Sequence, residues 1–272
     1  MSGPASHHGI VESAEWLTPS MRRIVLGGPG LAAFTPTEHT DQYVNALFVP
    51  DGATYEAPFD VDEARTQDPE HRPRGRRYTV RRWDDTTRQL TLDFVAHGDV
   101  GYAGRWAQRA APGDALQVLG PGGGYAPHPH ADWHLLAGDE SALPAIAASL
   151  ESMTPSSTAA VFIVVDGPDH EIELDGPEAT TISWLHRNGS ASPADLLVDA
   201  IRAFSFPPGS PQLFVHGEAG ETRAVRQHLL SDRGLARDGA SISPYWRRHH
   251  TDEAWRAVKK QWLADQEADV SG

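Results

Sequence analysis

The fold is decided by the thirteen residues WHLLAGDESALPA at positions 133–145. Trp133–Ala137 is an apolar run that predicts a buried strand. Apolar residues at helical spacing begin at Leu143, and Pro144 is tolerated there because the first turn of a helix does not need its N–H group. Positions 138–142 therefore form a strand-to-helix turn, the place where doubly wound sheets usually hold a nucleotide.

The same alternation of strand and helix continues toward the C-terminus. Short apolar runs predict four further strands, at 159–165, 180–185, 212–216 and 241–246. Apolar stripes at helical spacing predict helices around 143–150, 196–204, 221–231 and 255–262. This alternation predicts an α/β domain with a doubly wound parallel sheet covered on both faces. The acidic residues 264–272 are expected to form a frayed tail.

The first half of the chain is different, because turns separate short strands and helices are scarce. Strands are predicted at 20–26, 42–49, 76–83, 89–96 and 115–119, and one helix at 105–109. Leu90, Leu92 and Phe94 alternate with polar or smaller residues, which is typical of a sheet with two distinct faces. The pattern predicts a small antiparallel β-barrel with a long surface loop at 57–75. The glycine run at 120–124 marks a boundary, so domains are predicted at 1–127 and 128–272.

Composition excludes several classes of protein. The 272 residues carry a formal net charge of −14, which disfavours general nucleic-acid binding because phosphate contacts need clustered Lys and Arg. The chain has no Cys, which removes disulfides, a thiol nucleophile and Cys-ligated metals. The longest apolar run, 159–165, is far shorter than the about 20 residues that span a bilayer. Since the N-terminus has no signal-peptide pattern, a cytoplasmic protein without membrane insertion is expected.

Three segments carry groups suited to an anion, but each also has an ordinary structural interpretation. In a strand, Arg76 and Tyr78 would share one face and Thr79 the other, although such residues are also common in edge strands. Small residues at 98–104 precede a predicted helix and could offer N–H groups to a phosphate or form a plain turn. The last strand ends in YWRRHH at 245–250. This segment could offer aromatic rings followed by a cationic patch for an anionic ligand, or it could be an ordinary solvated strand end.

No metal site is predicted. The 14 His residues include pairs at 7–8, 128/130 and 249–250, all in predicted tails or loops. A metal site needs three or four ligands that converge from a fixed scaffold.

Taken together, these segments resemble the siderophore-interacting protein family, the flavin-dependent ferric-siderophore reductases, which are similar in build to the ferredoxin reductases. The resemblance spans roughly residues 9–262 in the same order. It is carried by RRYTVR at 76–81, DFVAHG at 93–98, GPGGGYAP at 120–127, AGDESALPA at 137–145, WLHR at 184–187, GEA at 217–219 and YWRR at 245–248. It implies an FAD-binding barrel followed by a nicotinamide-nucleotide domain whose C-terminal segment returns to the flavin.

The resemblance also implies the site residues. Those expected to bind FAD are Arg76, Tyr78, Thr79, Val80, Asp93, Val95, His97, Gly101, Ala103, Gly104, Tyr245 and Trp246. Those expected to face the nicotinamide nucleotide are Gly138, Asp139, Glu140, Ser141, Ala142, Gly217 and Glu218, with Arg187 a candidate for the 2′-phosphate of NADP. Gly104 stands where the family usually has a serine, so FAD is expected to bind more weakly.

Arg247 and Arg248 match the basic patch that is credited with holding ferric siderophores, many of which are anionic. The resemblance therefore implies a reductase that uses FAD and takes electrons from NADH, NADPH or a ferredoxin. The flavin carries the chemistry, so no catalytic side chain and no metal ligand are expected. Two alternatives stay open: a general flavin reductase or diaphorase, and a siderophore-binding module without redox activity.

Overall fold

The computed structural model describes residues 4–96 and 101–270. Contacts within the chain divide it into two compact units, one that ends at Ala126 and one that begins at Pro127. Each unit has its own buried apolar core. Among the residues that the structure describes, no helix has both the length and the apolarity needed to cross a membrane.

The first unit is a closed antiparallel barrel. Its six strands are β1 (Ser6–Thr18), β2 (Met21–Gly27), β3 (Tyr43–Phe48), β4 (Arg74–Asp84), β5 (Gln89–Val95) and β6 (Ala115–Gly122). They follow one another in the order β1-β2-β5-β4-β3-β6, and β6 pairs with β1 to close the barrel. Two short helices, α1 (Val61–Thr66) and α2 (Tyr102–Arg109), lie in the connections.

The second unit is a five-stranded parallel sheet with helices. Its strands are β7 (Trp133–Asp139), β8 (Thr158–Val165), β9 (Ala179–His186), β10 (Pro211–Glu218) and β11 (Ser241–Trp246). Its helices are α3 (Leu143–Ser152), α4 (Leu196–Ala203), α5 (Ala219–Gln227) and α6 (Asp252–Val270). A π-helical turn, His228–Asp232, follows α5.

The strand order β11-β10-β7-β8-β9 creates a topological switch point. The chain builds outward from β7 to β9 on one side and then continues on the other side of β7 with β10 and β11. In such sheets a crevice opens at the carboxyl ends of the two central strands, which are Asp139 and Glu218 here. The predicted fold class, a barrel followed by an α/β parallel sheet, is confirmed.

Several local predictions were wrong. Strand β1 was missed because its alternation is broken by register shifts between Val11 and Ser13 and between Trp16 and Thr18. The predicted loop at 57–75 contains α1, whose N-terminus is capped by the Asp60 carboxylate, and the first residues of β4. The predicted linker at 120–124 partly belongs to β6, and the predicted acidic tail continues α6 to Val270.

Helix α2 is held at its C-terminal end by one guanidinium group. Arg22 Nη1 donates to the carbonyl oxygen of Ala107 at 2.7 Å and to that of Gln108, while Nη2 donates to the carbonyl oxygen of Ala110 at 2.9 Å. The last carbonyls of a helix have no partner within the helix and carry a partial negative charge, so a cation there is favourable. Arg22 thereby fixes α2 to the barrel strand β2.

We expect Arg22→Met to reduce the free energy of unfolding by about 1–3 kcal/mol, because it removes charged donors from half-buried carbonyl groups. Hydrogen exchange should accelerate first in α2. Arg65→Met is the matched control, since Arg65 makes only an exposed pair with Asp62 and should change stability by less than about 0.5 kcal/mol. Equal losses in urea unfolding of the two variants would contradict the role given to Arg22.

Candidate functional site

The predicted flavin strand β4 presents Tyr78 and Thr79 to opposite faces. The ring of Tyr78 is half-buried and packs on Phe94, with ring centroids 4.2 Å apart, and on Phe48 at 6.4 Å. Thr79 lies opposite Tyr43 on β3. Val80 is 1% exposed in the barrel core, so its side chain is not available to a ligand. The strand therefore offers one supported aromatic ring, with a half-buried Arg76 two residues before it.

Asp93 on β5 is committed to an ion pair within the barrel. Its Oδ1 and Oδ2 accept hydrogen bonds from Arg23 Nε and Nη2, both at 2.8 Å, and its side chain is 1% exposed. The two residues are directly opposite on paired strands β2 and β5. Asp93 therefore holds the strands together, while Val95 is half-buried nearby on β5 and His97 lies outside the described residues.

The N-terminus of α2 is suited to an anion. Gly101 precedes the helix at a φ of 79°, a conformation that favours glycine, and a side chain there would meet no atom within 4 Å. The first helical bond runs from Arg105 N–H to Gly101 O at 3.4 Å, so the N–H groups of Tyr102, Ala103 and Gly104 precede it. Backbone N–H groups at such a position attract a phosphate.

Two guanidinium groups lie over the ring of Tyr102, the first residue of this helix. The Arg74 and Arg105 guanidinium carbons lie 5.7 and 5.5 Å from the centre of the Tyr102 ring. Arg105 also reaches Asp51, whose side chain is exposed, at 3.4 Å. The residues present therefore fit a bound pyrophosphate: the backbone donors remain although position 104 has no hydroxyl, and two cations lie over the ring of Tyr102, the first residue of the helix.

In the second unit, the crevice at the switch point is built around the carboxylate of Asp139. Oδ1 accepts from Ser141 N–H at 2.9 Å and from Ser141 Oγ at 2.5 Å. Oδ2 accepts from Glu218 N–H and from Trp246 Nε1, both at 2.8 Å. These bonds join the carboxyl ends of β7, β10 and β11. Burial, and then the neighbouring Glu140, raise the pKa of Asp139.

Two glycines are required by this close packing. A Cβ on Gly138 would lie 2.2 Å from the carbonyl oxygen of His216, and one on Gly217 would lie 2.7 Å from Asp139 Oδ2. Gly217 also has a φ of 141°. The two glycines thus bring β7 and β10 together, which gives them a structural role in addition to the predicted nucleotide contact.

The predicted nucleotide residues Glu140 and Glu218 are also engaged within the protein. Glu218 Oε2 caps α5 by accepting from Gly220 N–H at 2.6 Å and Glu221 N–H at 3.1 Å. Glu140 accepts two hydrogen bonds from Arg187, at 2.6 and 2.8 Å. Ala142 is fully buried at the start of α3. Arg187 was a candidate for a 2′-phosphate, but its guanidinium group is occupied by Glu140 and by Asp166 at 3.0 Å.

The segment at the end of β11 is tied to the same network. Tyr245 packs on the buried ring of His216, with centroids 4.7 Å apart. Arg248 donates from its backbone N–H to Glu218 Oε1 at 3.0 Å and from Nη2 to Glu221 Oε1 at 2.6 Å. The guanidinium group of Arg247 lies 5.9 Å from the Trp255 ring. The expected basic patch is therefore partly neutralised, because Arg248 is paired with a buried carboxylate.

Sequence reasoning missed Glu221 and Asp166. Glu221 stands three residues after the capping Glu218, and Asp166 directly follows β8; position after a strand was the signal available for Asp166. Glu221 is 2% exposed, and its Oε2 is buried without a hydrogen-bond partner. Burial, and then Asp139, raise the pKa of Glu221 to about 7.

In residues 4–96 and 101–270, no group of three or more His, Asp or Glu side chains could hold a metal ion.

We expect the titration of Glu221 to make stability fall as the pH rises. Its pKa is higher in the folded chain, about 7, than its ordinary value of 4.5, so the folded state binds the proton more tightly. The resulting stability is fully present below pH 4.5 and is lost as the pH rises through 7. Glu221→Gln cannot titrate at this position. Its free energy of unfolding relative to that of the wild type should therefore rise by on the order of 2 kcal/mol from pH 5 to pH 8.

Urea unfolding at pH 5, 6, 7 and 8 measures this difference. Glu178→Gln removes the same charge at an exposed position, and its free energy of unfolding should vary with pH in the same way as that of the wild type. A Glu221→Gln profile that also stays parallel would contradict the buried titration.

Comparison with known proteins supports both units. The model of the siderophore-interacting FAD-binding domain matches residues 10–125, and that of the siderophore-interacting protein matches residues 131–249. An uncharacterised protein of Mycobacterium tuberculosis is 41% identical over 98% of this chain and 99% of its own length. The ferric vibriobactin reductase of Vibrio cholerae is 35% identical over 89% of each chain. The crystal structure of a siderophore utilization protein from T. fusca is 35% identical, with a TM-score of 0.79 over 93% of this chain and 96% of that one.

Proposed function

Because the chain belongs to the siderophore-interacting protein family, we propose that it is an FAD-dependent reductase that converts a ferric siderophore to its ferrous form. The observation that carries the proposal is the anion site at the start of α2, on a barrel that matches the family's FAD-binding domain. The N–H groups at the start of the helix and the guanidinium groups of Arg74 and Arg105, which lie over the ring of Tyr102, are the kinds of donor that a dinucleotide pyrophosphate needs.

The barrel residues divide the work of holding FAD. The N–H groups of Ala103 and Gly104 would donate to the pyrophosphate, and Arg76 would add a cation for the phosphates. Tyr78, whose ring is kept in place by Phe94 and Phe48, would lie beside the flavin. Thr79 offers a hydroxyl on the other face of β4. Asp93 acts through Arg23 on the strand geometry, and its charge is not available to the cofactor.

When bound, FAD supplies the conversion between a two-electron donor and iron, which accepts one electron at a time. The balance is one NADH or NADPH consumed for two ferric complexes reduced. The residues of this chain bind and orient the reactants, so no side chain is assigned an acid or base role. Ferrous iron is held less tightly by the hard oxygen ligands of a siderophore, and this releases the metal.

The crevice at the ends of β7 and β10 is the proposed nicotinamide-nucleotide site, with Gly138, Ser141 and Gly217 around it. The exposed or half-buried cations after β11 dock the siderophore, Arg247 first because Arg248 is paired with Glu221. Contacts of Tyr245 and Trp246 with flavin stay a prediction. We place the reaction in the cytoplasm, where nicotinamide nucleotides are available, and keep a ferredoxin as the alternative donor.

The visible spectrum of the purified protein tests the reaction. With added FAD and no oxygen, we expect a bound-flavin spectrum that bleaches with NADH or NADPH and recovers when a ferric siderophore is added. A bound flavin that bleaches only with a reduced ferredoxin would change the donor. A flavin that recovers equally with any neutral dye, or a protein that binds siderophore without flavin, would replace the proposal with a diaphorase or a binding module.

We expect Arg247→Gln to lower kcat/KM for an anionic ferric tris-catecholate by about 5–10-fold, because a docking cation is lost. Turnover of a cationic ferric trihydroxamate should stay within about twofold. Arg202→Gln is the matched control, since Arg202 is an exposed arginine at the end of α4. Equal losses for both substrates would show that Arg247 has no part in recognising charge.

A further inference from the structure

We propose that the side chains at the carboxyl ends of β8 and β9 select NADH over NADPH, with Asp166 as the residue that accepts the adenosine ribose. The inference rests on the proposed function and concerns the donor site alone. It follows from three observations on the second unit: how Arg187 is bonded, which groups surround it, and where Asp166 lies in the fold.

Arg187 is the one arginine that directly follows β9, and it is held on two sides. Its Nη1 and Nη2 donate to both carboxylate oxygens of Glu140, at 2.6 and 2.8 Å, and Nη1 also donates to Asp166 Oδ1 at 3.0 Å. The side chains of Arg187 and Glu140 are only 14% and 4% exposed. Turning Arg187 toward a phosphate would leave Glu140 buried and unpaired, which is strongly unfavourable.

The neighbouring histidine is paired as well. His186 Nε2 lies 2.7 Å from Glu171 Oε1, and Glu171 belongs to the segment that connects β8 to β9. That segment, residues 166–178, contains six carboxylates and no Lys or Arg. Glu140, Asp166 and Arg187 together carry a net charge of −1, so a 2′-phosphate with close to two negative charges would meet repulsion from the triad and from this segment.

Asp166 lies at the position whose side chain contacts the adenosine ribose in doubly wound sheets. It directly follows β8, the second strand of the β7-α3-β8 unit, and its side chain is 36% exposed. A carboxylate at that place accepts hydrogen bonds from the ribose 2′-hydroxyl, whereas NADP sites place an arginine there to meet the phosphate. Arg187 orients Asp166 and leaves the second carboxylate oxygen for the ribose.

Binding to the FAD-loaded protein tests the proposal without requiring turnover. We expect 5′-AMP to bind at least about 30-fold more tightly than 2′,5′-ADP in calorimetry, and kcat/KM for NADH to exceed that for NADPH by a similar factor. Asp166→Asn should reduce the ratio of the affinity for 5′-AMP to the affinity for 2′,5′-ADP by about 5–10-fold. Asp238→Asn, an exposed carboxylate removed just before β11 at the opposite edge of the sheet, should leave the ratio unchanged.

The outcomes separate this inference from the proposed reaction. Equal affinity for the two nucleotides, or affinity for neither, overturns the selectivity even if ferric siderophore is reduced. An unchanged ratio in Asp166→Asn, with the variant folded as judged by its thermal midpoint, overturns the role of Asp166. If 5′-AMP is preferred as expected but neither NADH, NADPH nor a reduced ferredoxin supports siderophore reduction, the selectivity of the nucleotide site stands and the proposed reaction fails.

Discussion

The buried carboxylate of Asp139 is the constraint on which the second unit depends. Burying a carboxylate away from water costs several kcal/mol unless its oxygens accept hydrogen bonds. The oxygens of Asp139 accept hydrogen bonds from Ser141, Glu218 and Trp246. Because these donors come from the ends of three strands, the carboxylate fixes how closely β7, β10 and β11 can lie. The same closeness explains why position 217 must be glycine.

Charge is distributed differently at the two candidate sites. At the carboxyl ends of the parallel strands, carboxylates outnumber cations, and both Arg187 and Arg248 are bonded to buried glutamates. At the start of α2, Arg74 and Arg105 lie over the ring of Tyr102, and Arg105 also pairs with the exposed Asp51. Of these two sites, the one on the barrel is therefore better suited to a phosphate, while the one at the ends of the parallel strands suits a ligand with hydroxyl groups.

Prediction from sequence succeeded where the residue pattern is local. The apolar runs of β7 and β8 and the alternation along β5 gave the right elements, because each side chain is buried by the period of its own strand. Strand β1 was missed because two register shifts break that period, and α6 was cut short because its charged residues lie on a helix held by Trp255 and Trp262. The candidate residues were found as a set, but their partners were not.

The sequence by itself determined the two-unit architecture and the turns where a ligand could lie, since strand and helix periods and glycine positions are written along the chain. Only the tertiary structure decided which charges stay available. Asp93 meets Arg23 across β2 and β5, and Arg187 meets Glu140 from 47 residues away. No local pattern records such pairs, because electrostatic partners depend on distance in space and on burial, and both are set only when the strands come together.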